Sequence, residues 1–252
     1  LTRECDTLPD RFARQGYRTL GLMPGLRYAW PEGDFYGFQH ILGERILDYR
    51  GPEFGWWRIP DQFAIARLDQ LEISLAQRPP LFVFYPTISS HMPFRPTPPY
   101  QADWDRMMTQ QPFEPAALEV SLTRKPDWTN LGPAYTDALN YAFTWLAGYL
   151  EKHADSDLVI IVLGDHQPPA SVSGASAPWE VPVHVITQRT DILESLQSAG
   201  LQPGLEPGRP TLGPMHELSA ALLTVFDSGE TSPRSASNRS AAVSHQSGVD
   251  IP

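Results

Sequence analysis

The stretch DLVIIVLGDHQPPA, residues 157–170, decides the fold. Its six apolar residues, Leu158 to Leu163, run directly into a Gly-Asp-His sequence. A β-branched apolar run between turn-forming residues is typical of a strand that is buried on both faces, as in a parallel sheet. We therefore expect a buried strand here, with Asp165 and His166 at its carboxyl end.

Strands and helices alternate on both sides of this run. Buried strands are predicted at residues 17–23, 80–86 and 181–187, and helices at residues 7–15, 61–76, 134–152, 190–200 and 215–226. This alternation predicts an α/β fold, a three-layer sandwich whose mainly parallel sheet has helices on both faces. Residues 24–60 are rich in Gly, Pro and aromatic residues without a sustained period, so we expect an ordered loop there.

The length and composition of the chain favour one domain. Of the 252 residues, 1–227 carry the strand and helix patterns. Residues 228–252 have almost no large apolar side chains and are predicted to form a flexible polar tail. The longest apolar run is far short of the roughly 20 residues needed to cross a bilayer, and no signal peptide is visible. Because the first residues already have the pattern of a capped helix inside a fold, we expect a segment upstream of Leu1 to have been removed.

Charge and cysteine content exclude several classes of protein. The formal net charge is −10, whereas proteins that bind the nucleic-acid backbone rely on clustered Lys and Arg, so no nucleic-acid partner is expected. Cys5 is the single cysteine, which excludes an internal disulfide framework and a Cys-rich zinc site.

Histidines follow two of the predicted strands. His91 lies in the loop after residues 80–86, and the Asp165-His166 pair follows the opening strand. In open α/β sheets ligands bind outside the carboxyl ends of the strands, so we expect these loops to share one edge. An Asp oxygen and a His nitrogen together suit a divalent cation such as Mn²⁺ or Zn²⁺. The alternative is a helix cap beside a surface histidine.

The surrounding sequence resembles the alkaline phosphatase and sulfatase superfamily, in particular the membrane-anchored branch that contains lipoteichoic acid synthase and related sulfatase-like proteins. The similar segments occur in family order across about residues 5–190 and include TLPDRFARQGYRT, FVFYPTISSHMPF, the long helix at 134–152, VIIVLGDHQPP and VPVHVI.

This resemblance implies a set of roles. Asp165 and His166 correspond to two metal ligands for Mn²⁺, Mg²⁺, Zn²⁺ or Ca²⁺, and His91 to the histidine that contacts the oxygens of the transferred phosphate or sulfate. In the family a metal-activated nucleophile attacks the ester and forms a covalent intermediate. The implied substrate is a lipid- or glycan-linked phospho- or sulfoester. The implied location is the periplasmic or extracellular face of a bacterial membrane, reached through a missing N-terminal segment.

The sequence also departs from the family pattern. The family nucleophile and first acidic metal ligand precede the TLPDRF segment and have no counterpart here, so we expect the chain alone to be inactive or nearly so. Cys5 does not fit the Cys-x-Pro-x-Arg spacing of sulfatases. The stretch YAWPEGDFYGF keeps an aromatic residue for substrate binding, Trp30, but has Glu32 where the family has a phosphate-binding arginine. Arg95 could either hold an anionic substrate or solvate its loop.

Several alternatives remain open from the sequence. The chain could be a non-catalytic binding or regulatory member of the same fold. It could also be an unrelated α/β hydrolase that uses Ser89 or Ser90, although no nucleophile-elbow motif surrounds them. His184 is predicted to be a core residue and His216 a capping or surface residue. The Trp56-Trp57 pair could line a cleft, but packing is the more common role of such a cluster.

Overall fold

The computed structural model describes residues 6–227. The predictions for Cys5 and for the tail at 228–252 lie outside the described residues. The chain divides into two compact units, the first formed by Leu1–Gln188 with Leu205–Pro207 and the second by Arg189–Gly204 with Gly208–Pro252.

The first unit contains five strands and eight helices within the described residues. The strands are β1 (Arg18–Met23), β2 (His40–Gly43), β3 (Leu81–Phe84), β4 (Val159–Leu163) and β5 (Val183–Thr187). The helices are α1 (Leu8–Arg14), α2 (Gly33–Tyr36), α3 (Glu44–Leu47), α4 (Asp61–Leu68), α5 (Trp104–Met107), α6 (Pro115–Thr123), α7 (Gly132–Lys152) and α8 (Ala170–Ser173). A π-helical turn, Asp69–Ile73, extends α4.

β1, β2 and β3 form a parallel sheet with strand order β2-β1-β3. One face presents Leu20 and Leu22 of β1 to a core that also contains Phe63 of α4. On the other face, the ring of Phe12 from α1 stacks on that of Phe82 from β3, with 4.5 Å between centroids. Helices therefore flank both faces, and the predicted α/β architecture is confirmed.

The loop predicted at residues 24–60 is partly regular. It contains α2, β2 and α3, and β2 is an edge strand of the parallel sheet. The sequence signal was weak because β2 has only four residues, and a period of two cannot be recognised over so short a run.

α7 packs one face into the core. Its buried positions recur every three or four residues, as expected for an amphipathic helix: Ala134, Ala138, Tyr141, Trp145, Gly148 and Tyr149. The predicted helix at 134–152 is confirmed, with two further residues at its start. Pro133 is tolerated there because the first helical positions need no N–H for an intrahelical bond.

The opening stretch forms a strand, but its environment differs from the prediction. β4 pairs with β5 in antiparallel orientation, and within residues 6–227 no strand pairs with its other edge. Four residues of β4 are half-buried and Leu163 is exposed. Only one face reaches the core, through Leu158 and Ile160, so the prediction of burial on both faces is wrong.

The second unit contains the helices α9 (Thr190–Ser198) and α10 (Met215–Asp227). α9 buries Ile192 and Leu196, and α10 buries Leu222 and Val225. Over the described part of the chain, none of the helices combines the length and apolar character that a membrane span requires.

Candidate functional site

The histidine loop, residues 85–103, leaves the carboxyl end of β3. Its turn is closed by the His91 amide, which donates to the Ile88 carbonyl at 3.0 Å, and by the Phe94 amide, which donates to the His91 carbonyl at 2.9 Å. The His91 ring is exposed, and its Nδ1 donates to the Met92 carbonyl at 2.8 Å. This bond leaves Nε2 as the ring nitrogen that is available to a ligand.

The two adjacent tryptophans have different roles. Trp57 is a core residue with 1% of its surface exposed, whereas Trp56 is 52% exposed. The Trp56 ring meets that of His91 edge-on, with centroids 5.1 Å apart, and the Trp56 carbonyl accepts from Arg27 Nη2 at 2.9 Å. The packing role expected of the pair is therefore correct for one member, and the other forms a wall beside His91.

Asp165 and His166 lie just after β4 and present a matched pair of donor atoms. His166 Nδ1 donates to the Gln167 carbonyl at 2.7 Å, so in the neutral ring Nε2 carries the free lone pair. Asp165 Oδ1 accepts from the His166 amide at 3.0 Å, and Oδ2 lies 3.6 Å from His166 Nε2. Two ligands about 2.1 Å from one tetrahedral ion are about 3.4 Å apart, so these two atoms fit a shared cation.

The pair is a half-site rather than a full metal centre. Among residues 6–227, no group of three or more His, Cys, Asp or Glu is arranged to hold a metal ion. The side chains of Asp165 and His166 are 88% and 69% exposed, so both are accessible to solvent. Structural and catalytic cations take about four to six ligands, so a bound ion would need ligands from water, substrate or residues outside the described range.

α7 anchors both histidine-bearing loops. Phe94, three residues after His91, is 2% exposed and lies in a small apolar cluster with residues of the first turns of α7. Val172 of α8, six residues after His166, packs against the same cluster. The members of this cluster, called the α7 anchor below, are Phe94, Leu131, Ala134, Tyr135, Ala138 and Val172. Both loops are thus attached to the same end of one helix.

The other two predicted substrate-binding residues have internal partners. The Arg95 guanidinium forms an ion pair with Asp137 of α7, and its side chain is 11% exposed. The Trp30 ring stacks on Tyr36 with centroids 5.4 Å apart and is half-buried. Arg95 therefore ties the histidine loop to α7, which neither of the two roles considered from the sequence included.

Asp61 and Gln62 are buried polar residues whose contacts the sequence did not reveal. Pro60 occupies the N-cap position of α4, and the Asp61 carboxylate points to the histidine loop. It accepts from the amides of Ile88 and Ser89, both at 2.9 Å. Burial raises the pKa of Asp61, and these hydrogen bonds oppose the rise. The contact spans 27 residues of sequence, which no local pattern can show.

The two serines beside His91 differ in burial. Ser89 is fully buried, with 0% of its surface exposed, so its hydroxyl cannot meet a substrate. Ser90 is half-buried, and the imidazole next to it is directed to the Met92 carbonyl and the Trp56 ring. The hypothesis of a Ser89 nucleophile is wrong because the side chain points into the protein.

A second network surrounds Asp69 at the far end of α7. Its carboxylate accepts from Tyr149 Oη at 2.9 Å and Lys152 Nζ at 2.7 Å, and lies 2.9 Å from His153 Nε2. Burial and the Asp69 charge raise the pKa of the Tyr149 phenol. At 1.5 Å per residue, this network lies roughly 20 Å along the helix from the α7 anchor, so it stabilises the fold rather than the site.

Comparison with known proteins gives one partial similarity. The chain is similar to a solved structure described as a protein in the alkaline phosphatase superfamily from Vibrio parahaemolyticus, with a TM-score of 0.44 and 21% sequence identity. The match covers 71% of this chain and 40% of that protein, so this chain spans less than half of its length. No protein-family model and no curated protein matches the chain. Similarity of this degree concerns shape over part of each chain, so the chemistry has to follow from the residues themselves.

Proposed function

We propose that this chain carries part of the site of a metal-dependent, sulfatase-like hydrolase or phosphotransferase that acts on phospho- or sulfoesters. The observation that carries the proposal is the α7 anchor, because it attaches the loops of His91 and of Asp165-His166 to the same end of one helix. An imidazole and a carboxylate–imidazole pair on neighbouring loops are the groups that binding of a cation and an oxyanion requires.

Asp165 and His166 would hold the divalent cation, which is Mn²⁺, Mg²⁺, Zn²⁺ or Ca²⁺. When bound, the cation neutralises an anionic ester and acts as a Lewis acid toward it. The backbone bond from His166 Nδ1 fixes the ring so that Nε2 and the Asp165 carboxylate face the same side. Neither side chain has to reorganise on binding, which reduces the entropy cost of forming the site.

His91 would contact the oxygens of the ester. Because Nδ1 donates to the Met92 carbonyl, Nε2 can donate to a substrate oxygen only when the ring is protonated and positively charged. A charged donor forms a stronger bond to an anionic oxygen than a neutral one. The exposed Trp56 ring beside His91 limits the directions from which an ester can approach.

The remaining parts of the proposal come from the resemblance. In the family that this chain resembles, the attacking nucleophile and the first acidic metal ligand precede the segment that corresponds to TLPDRF. The intact protein would act at the outer face of a bacterial membrane, on a lipid- or glycan-linked ester. A chain with only this half-site is expected to bind a cation weakly and to show little turnover.

Manganese broadening in NMR spectra tests whether the two loops converge. Mn²⁺ broadens the resonances of nearby nuclei, so a titration should broaden the ring signals of His166 and His91 together. Asp165→Ala should abolish both effects, while His40, at the start of β2, serves as the internal reference and should stay sharp. Broadening of His166 with an unchanged His91 would refute the shared site.

A non-catalytic binding or regulatory module is the second candidate. Two observations favour it. Within the described residues, no more than two metal-ligand side chains lie in one place. Of the two serines beside His91, Ser89 is fully buried and Ser90 is half-buried. Assay of the full-length protein with p-nitrophenyl phosphate and p-nitrophenyl sulfate in the presence of Mn²⁺ separates the two candidate functions. Turnover that Asp165→Ala removes supports the enzyme, and Mn²⁺ binding without turnover supports the non-catalytic module.

A further inference from the structure

Both ends of the histidine loop are held by the first two residues of α4. Asp61 and Gln62 have 0% of their surface exposed, although each carries polar side-chain atoms. Buried polar groups are costly unless they are hydrogen-bonded, so each of these residues needs partners inside the protein. Both find them in the loop that carries His91.

Asp61 holds the start of the loop. Its Oδ1 accepts from the Ile88 amide and its Oδ2 from the Ser89 amide, both at 2.9 Å. The Tyr85 hydroxyl donates to the Asp61 carbonyl at 2.9 Å. The Ile88 carbonyl in turn accepts from the His91 amide at 3.0 Å. A single hydrogen-bonded residue therefore separates the carboxylate from the His91 backbone.

Gln62 holds the other end. Its side-chain amide donates to the Gln101 carbonyl, and its Oε1 accepts from the Gln101 amide at 3.0 Å. The Gln62 backbone amide donates to the Tyr141 hydroxyl of α7 at 3.3 Å, which links the start of α4 to the helix that anchors the loop. The side chains of Asp61 and Gln62 bind the loop at points ten or more residues apart, so their effects on His91 can be separated.

We propose that Asp61 is the positioning residue for His91: its carboxylate fixes the turn that presents the imidazole, and Gln62 fastens the distal end of the same loop. The functional consequence rests on the proposed role of His91, but the positioning itself is a property of the loop. A carboxylate suits this task because each oxygen accepts one amide, whereas an asparagine has a single carbonyl and would oppose the second N–H with its own amide donor.

The burial of a carboxyl group at this place supports the proposal. Burial raises the pKa of Asp61, so the fold bears a desolvation cost to keep the carboxylate there. A neutral residue would avoid that cost if the position served only to fill space. The cost is offset only by the bonds that the carboxylate makes to the loop.

Amide hydrogen exchange and proton NMR test the proposal on the folded chain. In Asp61→Asn, exchange of the Ile88 and Ser89 amides should become at least about tenfold faster, and the NOEs between the rings of His91 and Trp56 should disappear. The matched control is Gln62→Met, a neighbour of equal burial. It should accelerate exchange at Gln101 but leave the His91–Trp56 NOEs unchanged.

Two results would overturn the proposal. One is a folded Asp61→Asn protein with wild-type exchange at Ile88 and Ser89 and intact His91–Trp56 NOEs. The other is an equal loss of those NOEs in Gln62→Met, since the loop would then respond to any change in α4.

The wild-type protein gives an independent test if the Asp61 variant does not fold. The amide proton shifts of Ile88 and Ser89 should follow one titration with a midpoint above 3.8, the ordinary value for Asp, because they bond to the group that titrates. Tyr85 and Tyr141 also face Asp61, but burial raises the pKa of both phenols and removes them from this range. Titration of the two amides with different midpoints, or with a common midpoint below 3.8, would refute the contact.

A separate variant tests the proposed role of His91 in binding the ester oxygens. In His91→Ala, binding of inorganic phosphate with Mn²⁺ should weaken, while the Ile88 and Ser89 amides should remain protected. Unchanged phosphate binding in this variant contradicts the role of His91 and leaves the Asp61 result intact.

Discussion

Replacement of Phe94 by alanine should destabilise the first unit and release the histidine loop together. The ring is 2% exposed and packs edge-on against Tyr135 with centroids 5.2 Å apart. Phe→Ala changes in cores cost about 3–5 kcal/mol, and the lower end applies because the α7 anchor is a small cluster that can partly collapse. Phe94 has φ +65, a left-handed conformation that alanine keeps, so backbone strain is the same in both proteins.

The expected loss of about 3 kcal/mol corresponds to a fall in Tm of about 6–12 °C for a unit of this size. Urea unfolding followed by tryptophan fluorescence measures it, with the slope m unchanged. Tyr28→Ala is the matched control, because that aromatic residue is 84% exposed and its replacement should change stability by less than about 0.5 kcal/mol. A loss below about 1 kcal/mol in Phe94→Ala would show that the anchor does not hold the loop.

Three further outcomes are expected. Asp165→Ala should weaken Mn²⁺ binding at least about tenfold in a calorimetric titration, yet leave Tm unchanged because its side chain is 88% exposed; a Tm shift would mean a structural role. Because the pKa of Asp61 is raised above 3.8, the folded protein binds the Asp61 proton more tightly than the unfolded chain does. The contribution of Asp61 to stability therefore grows as pH falls through the folded pKa toward 3.8. The urea midpoint of Asp61→Asn should lack this pH dependence, and the same dependence in the variant and the wild type would contradict the prediction. Asp69→Asn should lower the free energy of unfolding by about 1–3 kcal/mol in a thermal unfolding experiment. The loss is not larger because the Lys152 side chain is 37% exposed and can be hydrated instead. Unchanged stability would show that the network is dispensable.

Local patterns were sufficient for most of the regular elements. α1 begins where Thr7 accepts from the Asp10 amide at 3.3 Å, and Gly16 ends the segment with φ +86, as its position after the helix predicts. β1, β3 and α7 also lie where periodicity places them. These features depend on residues within one or two turns of each other, so their signals are present in the linear sequence.

The pairing and burial of β4 could not be predicted from such local patterns. An apolar run predicts a strand equally well whether both of its faces or only one are covered. The antiparallel pairing with β5 and the half-buried face depend on which strands are neighbours in space. The site shows the same limit, since the sequence marks His91, Asp165 and His166 as candidates by residue type but gives no measure of their separation.

The sequence by itself determined the class of fold, the strand that leads to the Asp-His pair, and the residues with the chemistry for a cation and an oxyanion. Only the tertiary structure decided that Ser89 is buried and that Trp56 flanks His91. It also decided that Arg95 is paired with Asp137, and that the Asp61 carboxylate accepts hydrogen bonds from the histidine loop. The physical reason is that propensity and periodicity act over a few residues, whereas these contacts join segments far apart in the chain and form only once the core has brought them together.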